Sequence, residues 1–437
     1  MKFPHGDPAT VDNPLAGNVA AAAVNRFDAT RARAAAAAFD LAQLGDDFYA
    51  NPYPYYHALR EHAPVKSMSD GSWFLTRYDD ILPVYRDPKV FSSDKKKEFG
   101  PKYGPSPLLT HHTTSLVFND PPLHTRVRRA IVGALSQRHI AAMEPGLVAL
   151  VDRLLDALAQ TRSADLIDAF AGAIPVEIIG NLLGVPRDER GALRAWSLAI
   201  LGALEPVLTP ARADAGNRAV QQMGDYLRTL CAERRRHLRD PDTDVLTRLI
   251  LGDADGARLT EEELLHQCIF LLNAGHETTT NLIGNALHAL TQWPGERARL
   301  VAEPALIGGA VEEFLRFESS NQLGNRITTR PTVVGGVALP ADARITLCIG
   351  AANRDPAHFP EPDRLDIARE PNRHIAFGSG IHTCAGLNLA RLEGRVAIGR
   401  LLARFPGYAL AGPPVRGGRA RFRGFLHLPA HVAVQWP

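Results

Sequence analysis

The stretch from about Glu262 to Gln292 reads as one helix whose centre is costly to bury. Apolar runs open it ("CIFLL", from Cys268) and close it ("LIGNALHAL", to Leu290), and Pro294 stops it. At about 1.5 Å per residue it spans on the order of 45 Å, enough to cross a domain. Its middle is "NAGHETTTN", which sets a glycine, a carboxylate and three threonines where a core helix wants apolar residues. Glycine costs about 1 kcal/mol there against alanine, and an unpaired buried carboxylate costs more. The helix alone leaves two readings open. This face lines a solvated groove, with threonines bonded back to the carbonyl four residues earlier, or it serves chemistry at a cavity.

A chain of 437 residues that is 45% hydrophobic can bury the core such a helix needs. The Pro/Gly-rich pieces "GPKYGPSP" and "AGPPVRGG" are too short to separate domains, and no internal repeat is evident. The expectation is one large domain, residues 44–437, after an alanine-rich extension, residues 1–43, that is loosely attached. The net charge of +2 gives no case for nucleic acid. The runs "KKK" (Lys95 to Lys97) and "ERRRHLR" (Glu233 to Arg239) read as solvated faces. No apolar run approaches the roughly 18 residues of a spanning helix, and no signal-peptide pattern opens the chain. A soluble cytoplasmic protein, not bound to membrane, is expected. Cys231, Cys268, Cys348 and Cys384 are widely spaced, without a CxxC pair, which argues against a disulfide framework and a zinc site.

The fold class that follows is mainly α with small β-sheets. Most segments from Pro122 to Leu290 carry helical periodicity. "DDFYANPYPYYHALREHAPV" reads as a turn and a short helix, and "SWFLTRY" as a strand. In "TVVGGVALPADARITLCIG" the pairs Gly335-Gly336 and Pro340-Ala341 punctuate short β-branched runs, as in hairpins.

A second feature is the cysteine in "HIAFGSGIHTCAGLNLARLEG" (His374 to Gly394). Leu389, Leu392, Val396 and Ala403 recur at helical spacing, so a helix starts near Ala385. Cys384 then faces free backbone N–H groups and the positive end of a dipole, and both stabilise a thiolate. Gly378, Gly380 and Gly386 permit positive φ and close approach of a flat ligand, with Phe377 packing beneath. The residues leave three readings: an inert buried thiol, a nucleophile with His374 or His382 as base, or a thiolate ligand to a metal. The nucleophile needs a base oriented by a third group, and nothing nominates one.

"FGSGIHTCAG" (Phe377 to Gly386) matches F-G-x-G-x-x-x-C-x-G, the cysteine-loop pattern of the cytochrome P450 family, and the chain resembles that family from about residue 45 to its end. The resemblance implies a single P450-type domain around haem b (iron protoporphyrin IX). Cys384 would be its axial metal ligand, and Phe377, Gly378 and Gly386 would form the loop beneath it. "AGHETTT" resembles the oxygen-activating segment, with Ala274 and Gly275 against the cofactor, Glu277 as acid and Thr278 as alcohol. In "EEFLR", Glu313 and Arg316 resemble a buried structural pair joined by an arginine from "FPEPDRLD", which nominates Arg364. "DPPLHTRVRRAI" resembles a propionate-binding helix, giving His124 and Arg128, with Arg326 and His374 as further partners. "RFRGFLHLPAHVAV" resembles the C-terminal strand region.

The reaction so implied inserts one oxygen atom from O₂ into a medium-sized, largely apolar small molecule, by hydroxylation or epoxidation, in natural-product or xenobiotic metabolism. An atypical oxidation on the same site, C–C coupling or desaturation, is the alternative. Peroxygenation is disfavoured by Glu277 and Thr278, and a non-enzymatic haem binder by the same relay. With no reductase region, electrons would come from a ferredoxin or flavodoxin-type donor with its reductase, docking near Arg126, Arg129 and Arg391. By resemblance the substrate pocket is lined by "LLTHHTTSLVF", "LAILGALEPVL", Phe270, Asn273, Ala274, "SSNQLGN" and "GFLHL". Its polar minority is Thr113, Asn321, Gln322 and Asn325, and no arginine or lysine stands out as a carboxylate anchor.

Overall fold

The expensive central helix forms, over Glu261–Gln292, and the rest of the protein is built around it. In this computed structural model, residues 26–241, 243–252 and 258–432 are described; residues 1–25, with most of the first alanine run, lie outside them. The Thr260 hydroxyl accepts the Glu263 N–H while the Glu263 carboxylate accepts the Thr260 N–H, a capping box. Three glutamates in the first turn face the positive end of the dipole. Helices Ala173–Leu183, Leu193–Gly202, Pro210–Arg236, Ile307–Phe317 and Leu387–Arg404 pack on it from several sides. It is therefore buried along most of its length, polar centre included.

Four small sheets accompany this helical body among the described residues. The largest has the order Val65–Ser67, Trp73–Leu75, Arg344–Cys348, Leu323–Thr328, Phe91–Ser92. Trp73–Leu75 runs parallel to Arg344–Cys348, with Phe74 opposite Thr346, and Leu323–Thr328 runs antiparallel, with Asn325 opposite Thr346. Thr332–Val334 and Val337–Leu339 make the expected hairpin. Its two turn residues, Gly335 and Gly336, both take positive φ (56° and 81°), which the two-residue turn demands and only glycine adopts freely. Among the described residues no helix is long and apolar enough to cross a membrane.

Three expectations need correction. The boundary at residues 43/44 falls inside a packed unit. Helix Ala29–Ala38 lies on Tyr53–His62 and buries Ala32, Ala36 and Phe39 against Phe48, Tyr56 and Phe74, because its alanine face allows close approach. The two basic runs are not wholly solvated. Lys95 is 2% exposed and holds Glu98 at 2.7 Å, and Arg234 is buried in an ion pair with Asp244.

The third correction concerns the clamp. Glu313 and Arg316 form a bidentate pair, 2.7 Å at each contact, both fully buried. The joining arginine is Arg369, whose Nε lies 3.2 Å from both Glu313 oxygens. Arg364 contributes only its carbonyl, which accepts from Arg316 at 3.2 Å, while its side chain turns out to Glu361. The Asp366 N–H and the Asn372 amide also donate to Glu313, so the carboxylate anchors the segment that leads into the cysteine loop.

Candidate active site

A cavity opens between the middle of the central helix and the cysteine loop. From the loop, Phe377, Gly378, Cys384 and Gly386 reach its wall; from the helix, Ala274, Gly275 and Thr278 do. The loop is shaped by its glycines. Gly378 and Gly380 have φ of 66° and 72°, and a Cβ on Gly380 would sit 2.3 Å from the Tyr85 carbonyl oxygen. Gly386 differs from expectation, with φ of −94°; its use is space, since a Cβ there would meet nothing within 4 Å. The helix begins at Leu387, slightly later than expected.

The Cys384 N–H donates to the Phe377 carbonyl at 2.9 Å, which fixes the cysteine at the loop's end. Burial pushes its thiol pKa up; the Gly386 N–H and the Arg128 and Arg391 guanidiniums pull it back towards the thiolate.

Beside the cysteine lies a cluster of unsatisfied cationic and imidazole groups. Both ring nitrogens of His124, Nε2 of His382 and Nη2 of Arg326 are buried without a hydrogen-bond partner. The His124 and His382 rings are 4.2 Å apart. Arg326 reaches the Asn325 carbonyl at 2.7 Å and lies 4.9 Å over the Tyr85 ring. Arg128 donates to the Thr383 carbonyl at 2.6 Å. Buried donors left unpaired cost about 1–3 kcal/mol each, so the cluster is built for an anionic ligand. A soft sulfur, an open glycine floor and a cradle for two carboxylates fit haem b.

His374, expected in that cradle, is elsewhere. It donates to the Glu312 carboxylate at 3.2 Å, and its Nδ1 accepts the Ala376 N–H, so a neighbouring acid has already taken it. His382, read from the sequence only as a possible base, lies on the cavity wall. Burial and the nearby Arg326 hold it neutral, its pKa pushed down to about 2.

On the helix side, the Thr278 hydroxyl donates to the Ala274 carbonyl at 2.8 Å. Glu277 is 2% exposed and points away from the cavity wall. It is not unpaired, because Arg419 from the C-terminal loop ion-pairs with it. Burial pushes its pKa up, and Arg419 opposes that rise.

The apolar wall comes mostly from the expected segments, including Leu116, Ile200, Leu201, Leu204 and Phe270. Asn321 and Asn325 line it; the Thr113 hydroxyl turns back to Leu109 and the Gln322 amide to Ser319. "GFLHL" contributes nothing to the wall, whereas Arg421 and Phe422 just before it do, together with Lys95. The cavity thus has cationic side chains that the sequence reading did not find.

Comparison with known proteins gives concordant results. The family model described as Cytochrome P450 matches residues 196–407. Vitamin D(3) 25-hydroxylase of Pseudonocardia autotrophica is 41% identical over 369 residues, covering 83% of this chain and 89% of that relative. 6-Deoxyerythronolide B hydroxylase of Saccharopolyspora erythraea is 35% identical, covering 89% and 97%. Among solved structures, P450BioI in complex with hexadec-9Z-enoic acid ligated acyl carrier protein superposes with a TM-score of 0.83 at 34% identity, covering 89% of this chain and 100% of that one.

Proposed function

This chain belongs to the cytochrome P450 family of haem-binding monooxygenases, and from that premise we propose that it inserts one oxygen atom of O₂ into a medium-sized, largely apolar small molecule by hydroxylation or epoxidation, in natural-product or xenobiotic metabolism. The observation that carries this reading is the placement of Cys384 and Thr278 on the wall of one mainly apolar cavity. Two relatives named as hydroxylases of vitamin D(3) and of 6-deoxyerythronolide B support the reaction type.

When bound, the haem would supply dioxygen activation, with thiolate donation favouring O–O cleavage. Cys384 would hold the iron. Arg128 and Arg326 would supply the charge that balances the propionates, and the neutral His124 and His382 would donate N–H bonds to them, because buried anions need cationic or N–H partners. Ala274 and Gly275 keep the helix low over the cavity, and the apolar wall excludes water and orients the substrate. Thr278 passes protons by turning its hydroxyl from the Ala274 carbonyl. Glu277 holds the proton behind it, once its pairing with Arg419 opens.

Electrons come from a ferredoxin or flavodoxin-type donor with its reductase. Arg126, Arg129 and Arg391, on helices Leu123–Ala134 and Leu387–Arg404, supply the basic docking contacts on the side of the cysteine loop; donor-driven reduction should slow as salt rises, and salt-independent reduction would contradict it. The reading as a whole is tested with a reconstituted donor system under isotopically labelled dioxygen. The product should carry one labelled oxygen; an oxidised product without it would refute monooxygenation.

A further inference from the structure

Three arginines alternate along the segment Arg419 to Arg423, and all three turn inward. Two have carboxylate partners: Arg419 has Glu277, and Arg423 has Glu318. Arg421 has none within ion-pair distance among the described residues. Its Nε donates to the Leu204 carbonyl at 3.1 Å, Nη1 to the Leu323 carbonyl at 2.8 Å, and Nη2 to the Asn325 side chain. These are neutral acceptors. They fix the guanidinium on the cavity wall and leave N–H capacity on each Nη for an anionic partner.

The surroundings favour an anion. Lys95, also on the wall, is 2% exposed, and Lys102 lies behind, donating to the Glu205 carbonyl at 2.8 Å. Against these three cations stand Glu98 and Glu205. Glu98 is taken by Lys95, and Glu205 accepts the backbone N–H groups of Ala420 and Arg421. One positive charge is left over at this end of the cavity, and the Arg419–Glu277 pair does not change that balance. His112 faces the same space, 2% exposed, with Nε2 lacking a partner. Burial holds it neutral, its pKa pushed down to about 3, so it can donate one hydrogen bond without adding charge.

We propose that Arg421 is the polar anchor of the substrate cavity, and that the substrate is an apolar molecule bearing one free carboxylate, gripped by Arg421 with help from His112 and Lys95. This deepens the monooxygenase reading and rests on it for the substrate's position. The anchor would hold one end of the molecule and present a C–H group some distance away to the Cys384 side.

The test is a titration of the holoprotein, following the low-to-high-spin shift, with matched pairs of probes: dodecanoate, hexadecanoate and lithocholate, each against its methyl ester. At least one acid should bind more tightly than its ester by about tenfold or more. Arg421→Gln should bring that ratio close to one with ester affinity little changed. If that variant fails to accumulate as holoprotein, Arg421→Lys replaces it; it keeps the charge but loses the fork, and the ratio should fall without reaching one. Equal binding of acid and ester, failure of every acid to bind, or an unchanged ratio in the variant would overturn the proposal. A holoprotein that shows the reduced-CO band and binds imidazole yet lacks the acid preference contradicts the anchor alone. Loss of that band in the wild type would contradict the haem-thiolate reading instead.

Discussion

Residues of one type take different work from what lies opposite them. His374 and His382 flank the same loop, but Glu312 binds the first and the second faces the cavity with Nε2 unpaired. We therefore propose His382, with Arg326, as a propionate partner. His382→Ala and Arg326→Gln should each lower haem per polypeptide, measured as pyridine haemochrome, while His374→Ala should leave it closer to wild type. Equal losses in the two histidine variants would contradict the assignment. Thr278 donates to Ala274 in the resting helix, so its role lies in turning away from that bond. Thr278→Ala should bind substrate and accept electrons nearly normally, yet release peroxide at the expense of product. Counting product and peroxide per NADPH decides this, and unchanged coupling removes Thr278 from the mechanism. The sequence marked Thr278 and Cys384 by unusual residues in apolar settings. It could not separate the two histidines, because the difference is the direction of a side chain. The alternating arginines of "RARFR" were a legible signal, since alternate positions of an extended segment share a face.

Elements were readable where local chemistry ends them. The central helix begins and stops within one residue of expectation because a capping box and Pro294 are written in the chain. The clamp was half legible. Its helical pair follows from i,i+3 spacing, but the third arginine comes from a looped segment holding both Arg364 and Arg369, and only the path of the loop chooses between them. Removing one member of a buried pair leaves an uncompensated charge, at about 3–5 kcal/mol. Arg369→Ala should therefore yield little soluble haem protein, with a large fall in Tm for what remains, whereas Arg364→Ala should behave as wild type. The reverse pattern in Tm and haem content would restore Arg364 to the clamp.

For the whole molecule, periodicity gave the helical character, but the N-terminal packing followed from neither periodicity nor composition. Alanine at every buried position of helix Ala29–Ala38 looks like low complexity in sequence and acts as a packing face in three dimensions. The small sheets and long helices together bring the cysteine loop, the cationic cradle and the polar centre of the long helix to one cavity, and haem-thiolate chemistry depends on that convergence. The reduced, CO-treated spectrum tests it most directly. Wild-type protein should show the Soret band at about 450 nm that a thiolate ligand confers, and Cys384→Ser should lose it, since a serine oxygen cannot replace the soft donor; Cys231→Ala, Cys268→Ala and Cys348→Ala should each keep it. A Cys384→Ser protein that retains the band, or a wild-type protein that binds haem without ever showing it, would contradict the account.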